Sequence, residues 1–272
     1  MNDLYNRTNY LVNVPLMINA NIVEYDISAA NITMLFSYGL ISEEEYFRYK
    51  NMEKKAREIS IGKRGHDDDG KLNQEGIAIQ KCINNGIIEA KKRLFEANDL
   101  KEESIVRIAK DAVYVNGQQV LYTSFDLNNN GVLTVFVPKN TYNIMINLNK
   151  SVTIFIKDNP LDDSLNVTVV GINDNLVPLH ECFLEFICNL VSNIQRSGKE
   201  FAFKQYNDFY EAYINMKLPI NYYREFNANS GFRLKDARNF IIDNISEEYK
   251  DKLDINYNLL ILRSLYSSIM DL

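Results

Sequence analysis

Between about residue 74 and residue 97 the side chains of Ile79, Ile83, Ile87, Ala90 and Leu94 recur at three- and four-residue intervals. That spacing lays a single apolar stripe along a long helix. Such a helix draws most of its stability from a surface that covers the stripe. Directly after it the chain changes period. Ser104–Ala109 and Ala112–Val115 are rich in apolar and β-branched residues and are parted by Lys110-Asp111. They read as strands. A long amphipathic helix that leads into strands restricts the chain to an α+β architecture.

The remaining elements follow from the same two periods. Asn21–Tyr25 predicts a short strand closed by Asp26, and Ala29, Ile32, Leu35 and Phe36 share one helical face before Gly39. Ser42-Glu43-Glu44-Glu45 is a capping-box pattern, predicting a helix over about 43–58. Residues 63–73, KRGHDDDGKLN, read as an exposed loop. Asn116-Gly117 is a hairpin-turn signal and predicts that Gln118–Tyr122 returns as a strand. Further strands are expected at 132–137, 143–148, 152–156 and 166–172. From residue 178 the pattern is helical again, with Leu179, Phe183, Phe186, Leu190 and Ile194 on one face. Phe203, Tyr206, Tyr210, Tyr213 and Ile214 form another face, Pro219 ends that run, and a last helix is expected over about 255–270. Residues 1–20 read as irregular. The expected organisation is an α+β body over 1–175 followed by a helical C-terminal lobe over 176–272.

Composition narrows the function classes. With 272 residues, 46% hydrophobic and 24% charged, the chain can bury a core without staples. Its three cysteines, Cys82, Cys182 and Cys188, have no CxxC spacing. They imply free thiols in a reducing compartment. The two histidines, His66 and His180, lie far apart, which argues against a zinc site. The N-terminus lacks the basic-then-apolar pattern of a signal peptide. No window reaches 18 uncharged apolar residues, and Val177–Ile194 contains His180, Glu181 and Glu185. A soluble cytoplasmic protein is therefore expected, with no membrane partner. Abundant Asn, Ile, Lys and Tyr suggest an AT-rich coding sequence, as in many bacteriophages or low-GC bacteria; for a phage protein the compartment is the host cytoplasm. The net charge of −6 counts against a body-wide phosphate-binding surface. There is no Walker loop, GxGxxG or Ser/His/Asp set.

Two acids stand at informative places. In Ile22-Val23-Glu24-Tyr25-Asp26-Ile27-Ser28-Ala29-Ala30-Asn31-Ile32, Asp26 sits where a strand gives way to a helix. In Ile105-Val106-Arg107-Ile108-Ala109-Lys110-Asp111-Ala112-Val113-Tyr114-Val115, Asp111 interrupts a β run. Between them, Arg48 to Arg64 holds seven basic residues (Arg48, Lys50, Lys54, Lys55, Arg57, Lys63, Arg64) against Glu53 and Glu58. In an acidic chain that local excess is notable.

Over roughly residues 20–120 this arrangement resembles palm-type nucleic-acid polymerases. Their first catalytic motif is a strand ending in Asp before a helix, and a later one places acid at the bend of a β-hairpin. Here the hairpin carries a single acid, Asp111. The resemblance implies a palm-like antiparallel sheet with flanking helices and Mg²⁺-dependent nucleotidyl transfer on nucleic acid or nucleotides. It implies Asp26 and Asp111 as catalytic metal ligands and Lys55 and Arg57 as phosphate-binding residues. Phosphoryl transfer by metal ions needs carboxylates held together on a rigid support, and Mg²⁺ accepts hard oxygen ligands while keeping waters.

Each feature also has a structural alternative. Asp26 can serve as a helix cap, Asp111 as a turn residue, and residues 48–64 as a solvated helix face. Asp67-Asp68-Asp69 lacks the ligand spacing of a calcium loop. The tyrosine-rich stretch 206–223 suits either core packing or base stacking. A non-enzymatic phage or host protein-interaction protein (inhibitor or adaptor), binding a protein partner through its acidic body and aromatic C-terminal lobe with the aspartates purely structural, is the second expectation.

Overall fold

The computed structural model describes residues 3–14, 16–67, 69–147, 153–158, 165–170, 181–215, 217–219, 262 and 266. Short strands β1 (Asn9–Leu11) and β2 (Leu16–Met17) precede β3 (Ile22–Ile27). Four helices follow: α1 (Ala30–Ser37), α2 (Glu43–Lys50), α3 (Lys54–Arg64) and α4 (Gln74–Ala97). Next come β4 (Ile105–Ala109), β5 (Ala112–Asn116), β6 (Ser124–Asp126), β7 (Leu133–Tyr142) and β8 (Ile144–Asn147). The described elements end with β9 (Thr153–Asp158), β10 (Leu165–Val170), α5 (Glu181–Ser197) and α6 (Lys199–Ile214). The fold is α+β with antiparallel strand pairs.

The chain forms two compact units. The first comprises Met1–Val12 and Asn21–Thr141, the second Asn13–Ala20 and Tyr142–Leu272. This division differs from the boundary near residue 176 that periodicity suggests. The reason is strand pairing. β2 joins β8 through Leu16↔Ile146, so an N-terminal segment and the strands after Thr141 belong to one sheet, ordered β10-β9-β8-β2. Helical content alone does not mark that boundary.

In the first unit six strands lie in the order β1-β4-β5-β3-β7-β6. Alternation along the strands sorts the side chains by face. Tyr25 and Ile27 of β3, Val113 and Val115 of β5, and Phe136 of β7 share a buried cluster with Ala90 and Leu94 of α4 and Met34 of α1. The later part of the stripe anticipated on residues 74–97 thus packs on one face of the sheet, whereas Ile79 joins Ile32, Leu35 and Ile61 in a cluster between helices. Glu24 and Asp26, alternating with those core residues, belong to the opposite face. At Gly86 the crossing of α1 and α4 is tight, because an added Cβ would lie 2.4 Å from the Met34 sulfur.

Three expectations are corrected. The helix expected over 43–58 is two helices, parted at Asn51–Glu53. Tyr49 and Ile61 enter the same buried cluster, yet on an unbroken helix they would stand roughly 18 Å apart. The chain must bend. Gln118–Tyr122 is not a returning strand, since β5 already has β4 on one side and β3 on the other. The segment is instead pinned by Asn98, whose side-chain oxygen accepts from the Leu121 and Tyr122 amides at 2.7 and 2.8 Å. Residues 1–20 contain β1 and β2, which are too short to show a period. The capping box at Ser42 and Glu45 forms as expected. His180 and most of the helix expected over 255–270 lie outside the described residues; of that helix, Leu262 and Tyr266 are described and helical.

Candidate functional site

Asp26 is the fifth residue of β3 and pairs with Ala112 across the β3–β5 ladder. Asp111 precedes Ala112 in the two-residue turn between β4 and β5, which closes on the pair Ala109↔Ala112. The register therefore brings the two acids side by side at one end of the sheet. Their electrostatics record it. The Asp111 carboxyl is held above the usual carboxylate range, first by burial, then by the charge of Asp26, with a hydrogen bond between the two side chains adding to the rise. A backbone hydrogen bond and the Lys139 ammonium pull the other way.

The backbone around both acids is unusual. Ala29, the residue that caps α1, is left-handed at φ 47° and supplies no side-chain cap. Asp26 lies inside β3 and does not cap α1, so its capping alternative is not the one the fold uses. Lys110 is left-handed at φ 56°, a conformation that costs a non-glycine residue about 1–2 kcal/mol. Its amide donates to the Thr8 carbonyl at 2.7 Å. The neighbouring Arg7 carbonyl accepts from the fully buried Lys91 ammonium at 2.5 Å. Burial pushes Lys91 down to about 8, partly offset by the charge of Asp111. The N-terminal segment thereby braces the turn that carries Asp111.

Asp26 and Asp111 line a cleft of about 490 Å³. Its opposite wall is the first part of α3, which contributes Lys54, Arg57 and Glu58. These positions share one helical face, whereas Lys55 is turned away from it. Arg57 therefore stands at the cleft, and Lys55, exposed, is not among the residues that line it. Arg48, Lys50 and Arg64 of the basic run are engaged elsewhere. Arg64 meets Glu45 at 3.1 Å and Glu75 at 2.6 Å, Arg48 lies over Tyr49, and Lys50 over Tyr46. The Arg64 contacts fix the far end of α3, where Gly65 and Gly76 touch. A Cβ on Gly76 would fall 2.1 Å from the Gly65 carbonyl oxygen.

Two further lysines face the cleft, Lys110 and Lys139. Lys139, on β7, is ion-paired with Asp26. Burial lowers its pKa, but the bond to Asp26 and the fields of Asp26, Glu24 and Asp111 outweigh that and hold the ammonium above the usual lysine range. One strand position on, Asn140 donates to Glu24 at 2.9 Å. Lys54, Arg57, Lys110 and Lys139 against Asp26, Glu58 and Asp111 leave the lining with one excess positive charge, in a chain of net −6. Sequence reasoning names Lys54 and Lys110 without giving them a place at the site, and does not reach Lys139. Lys110 had a signal, its place in the Asp111 turn, but Lys139 has none, being far from both acids in sequence.

Residues 1–270 match the family described as bacteriophage PBS1 gene 130 protein. The chain belongs to that family. No match to a curated protein was found. A phage origin agrees with the compositional bias toward Asn, Ile, Lys and Tyr. Among the described residues no helix is long and apolar enough to cross a membrane. Nor do they contain a cluster of three or more His, Cys, Asp or Glu side chains arranged as a metal cage. Asp26 and Asp111 line one cleft, and carboxylates are the hard-oxygen donor type that Mg²⁺ accepts while it completes its shell with water and phosphate oxygens.

Proposed function

We propose that this phage protein has a polymerase-like palm and acts on nucleic acid or nucleotides by Mg²⁺-dependent nucleotidyl transfer. The observation that carries this reading is the convergence of Asp26 and Asp111, 85 positions apart in sequence, on one cleft. Further support comes from the surroundings. The acids rest on a sheet whose other face is packed by α1 and α4, and the facing wall carries Lys54 and Arg57.

In this reading Asp26 and Asp111 hold Mg²⁺, which when bound supplies Lewis-acid polarisation of a phosphoryl oxygen. The β3–β5 ladder holds Asp26 and the tight β4–β5 turn holds Asp111, so little reorganisation is needed on binding. Arg57 and Lys54 meet the phosphates from the opposite wall, Arg57 with a planar fork suited to two oxygens at once. The first turn of α1, where Ala30 and Asn31 line the cleft, adds a weak attraction for anions.

The test is ligand-dependent thermal stability. Mg²⁺ or Mn²⁺ with a nucleoside triphosphate is expected to raise the melting temperature of the wild type, and Asp26→Ala or Asp111→Ala to remove the shift. A wild type that ignores both metal and nucleotide removes the basis for this function and favours an interaction protein. Primer extension is the assay that follows a positive shift.

A further inference from the structure

Lys139 is not required by the chemistry proposed above, yet it occupies the most consequential position in the cleft. Alternation along β7 puts Val137 and Lys139 at the cleft, where both are found. From there the lysine stem carries its ammonium onto the Oδ2 of Asp26, and Asp26 lines the same cleft as Asp111. One monovalent cation therefore sits at the shared edge of the acid pair. Two carboxylates at such close range are hard to ionise together without a neutralising cation. In the ligand-free protein Lys139 provides that neutralisation.

The two partners differ in freedom. The Asp26 side chain is 16% exposed and is fixed by a central strand, while the Lys139 side chain is 50% exposed. Lysine is a compact charge on a flexible stem, well hydrated when released. The ammonium can withdraw into water; the carboxylate cannot follow it. A divalent ion on the same oxygen would repel the ammonium at contact distance.

We infer that Lys139 is a resident counter-ion which a divalent metal must displace, so that this lysine sets the cation affinity of the Asp26–Asp111 pair. The inference rests on the metal-binding reading of those two acids. It also gives Lys139 a second position, since once released it remains on the wall of the cleft with its charge available to an anionic ligand.

Mn²⁺ binding to the full chain tests it, measured by calorimetry at fixed pH and ionic strength for wild type, Lys139→Gln, Lys139→Arg and Asp26→Asn. Lys139→Gln is expected to bind about tenfold more tightly than wild type. Lys139→Arg should stay near wild type, and Asp26→Asn should lose binding. If wild type binds and Lys139→Gln binds equally or more weakly, the displacement idea is overturned while the acid-pair reading stands. If neither binds, the acid-pair reading itself falls. A measurement on unaltered protein avoids any question of misfolding. With lysine labelled at ¹³Cε, the Lys139 signal should shift as Mg²⁺ saturates, and a stationary signal at saturation overturns the inference.

Discussion

The two walls of the cleft are built on opposite physical terms. The acid wall is the centre of a sheet: Ile22 and Val113 are fully buried and Val115 nearly so, and β3 has a hydrogen-bonded strand on each side. The basic wall is a short helix, α3, with one buried residue, Ile61, and an anchor at its far end through Arg64 and the Gly65–Gly76 contact. Its cleft end carries Lys54 and Arg57, for which no ion pair is found among the described residues. The difference teaches a division of labour. Under the proposed function, groups that share an ion are placed on strands and a tight turn backed by the core, and groups that meet a larger anion are placed where side chains can adapt.

The largest effect that separates the walls is on stability. Leu94→Ala, in the fully buried cluster beneath the acid wall, should cost about 2–5 kcal/mol through lost burial and the cavity left behind. Ile59→Ala on α3, where the side chain is 50% exposed, should change stability by no more than about 0.5 kcal/mol. Urea denaturation of both variants reads the contrast directly. Equal losses would mean that α3 is as deeply tied to the core as the sheet, and the contrast between the walls would have to be dropped.

The same contrast explains what was legible in the sequence. The acid wall is written in periods: alternation in Ile22–Ile27 and Ile105–Asn116, and the 3.6-residue stripe of Ile79 to Leu94. The periods locate the strands, Asp26 and Asp111 stand at a strand end and in a break of a β run, and the resemblance to palm-type polymerases singles them out; the two line one cleft. The basic wall is written in composition only. A run of seven cations does not say which of them point inward, and Arg48, Lys50 and Arg64 proved to be engaged within the helical layer. Lys54, and not Lys55, lines the cleft; the two differ by about 100° around the helix, a distinction that no residue count can make. Lys139 was illegible for a different reason. It reaches Asp26 across a strand pairing between distant segments, and a lone lysine carries no local signal of its partner. The break between α2 and α3 and the division into two units likewise depend on tertiary pairing rather than on local pattern.

An effect of intermediate size distinguishes positions on the basic wall. Under the proposed function, Arg57→Ala should weaken binding of a nucleoside triphosphate in Mg²⁺ by roughly ten- to a hundredfold, the range for losing a charge-assisted hydrogen bond. Lys55→Ala, one step away on the helix but turned from the cleft, should stay within about twofold, as a screened surface charge does. Fluorescence titration with a labelled nucleotide compares the two. Similar losses at both positions would indicate a diffuse basic surface rather than a cleft wall, and would blur the distinction on which the comparison rests.

The smallest effect concerns the acid wall alone and has an unusual sign. Asp111 is held above the usual carboxylate range by burial and by Asp26, so the native state keeps its proton more tightly than the unfolded chain does. The favourable contribution of the neutral form is then complete below the ordinary aspartate pKa and is lost as pH rises through the higher native value. Asp111→Asn keeps the shape and removes the ionisation. In metal-free buffer at pH 7 it should therefore be more stable than wild type, by on the order of 1 kcal/mol, because the loss of repulsion from Asp26 is partly cancelled by lost attraction to Lys139. The advantage should shrink toward zero as pH falls into the acid range. Saturating Mg²⁺ should reverse the order, since only wild type retains both ligands. Thermal melts across pH, with and without metal, give the answer. An Asp111→Asn variant less stable than wild type at neutral pH would mean that Asp111 acts as an ordinary turn residue, stabilised where it stands, and not as one of two acids held together against their own repulsion.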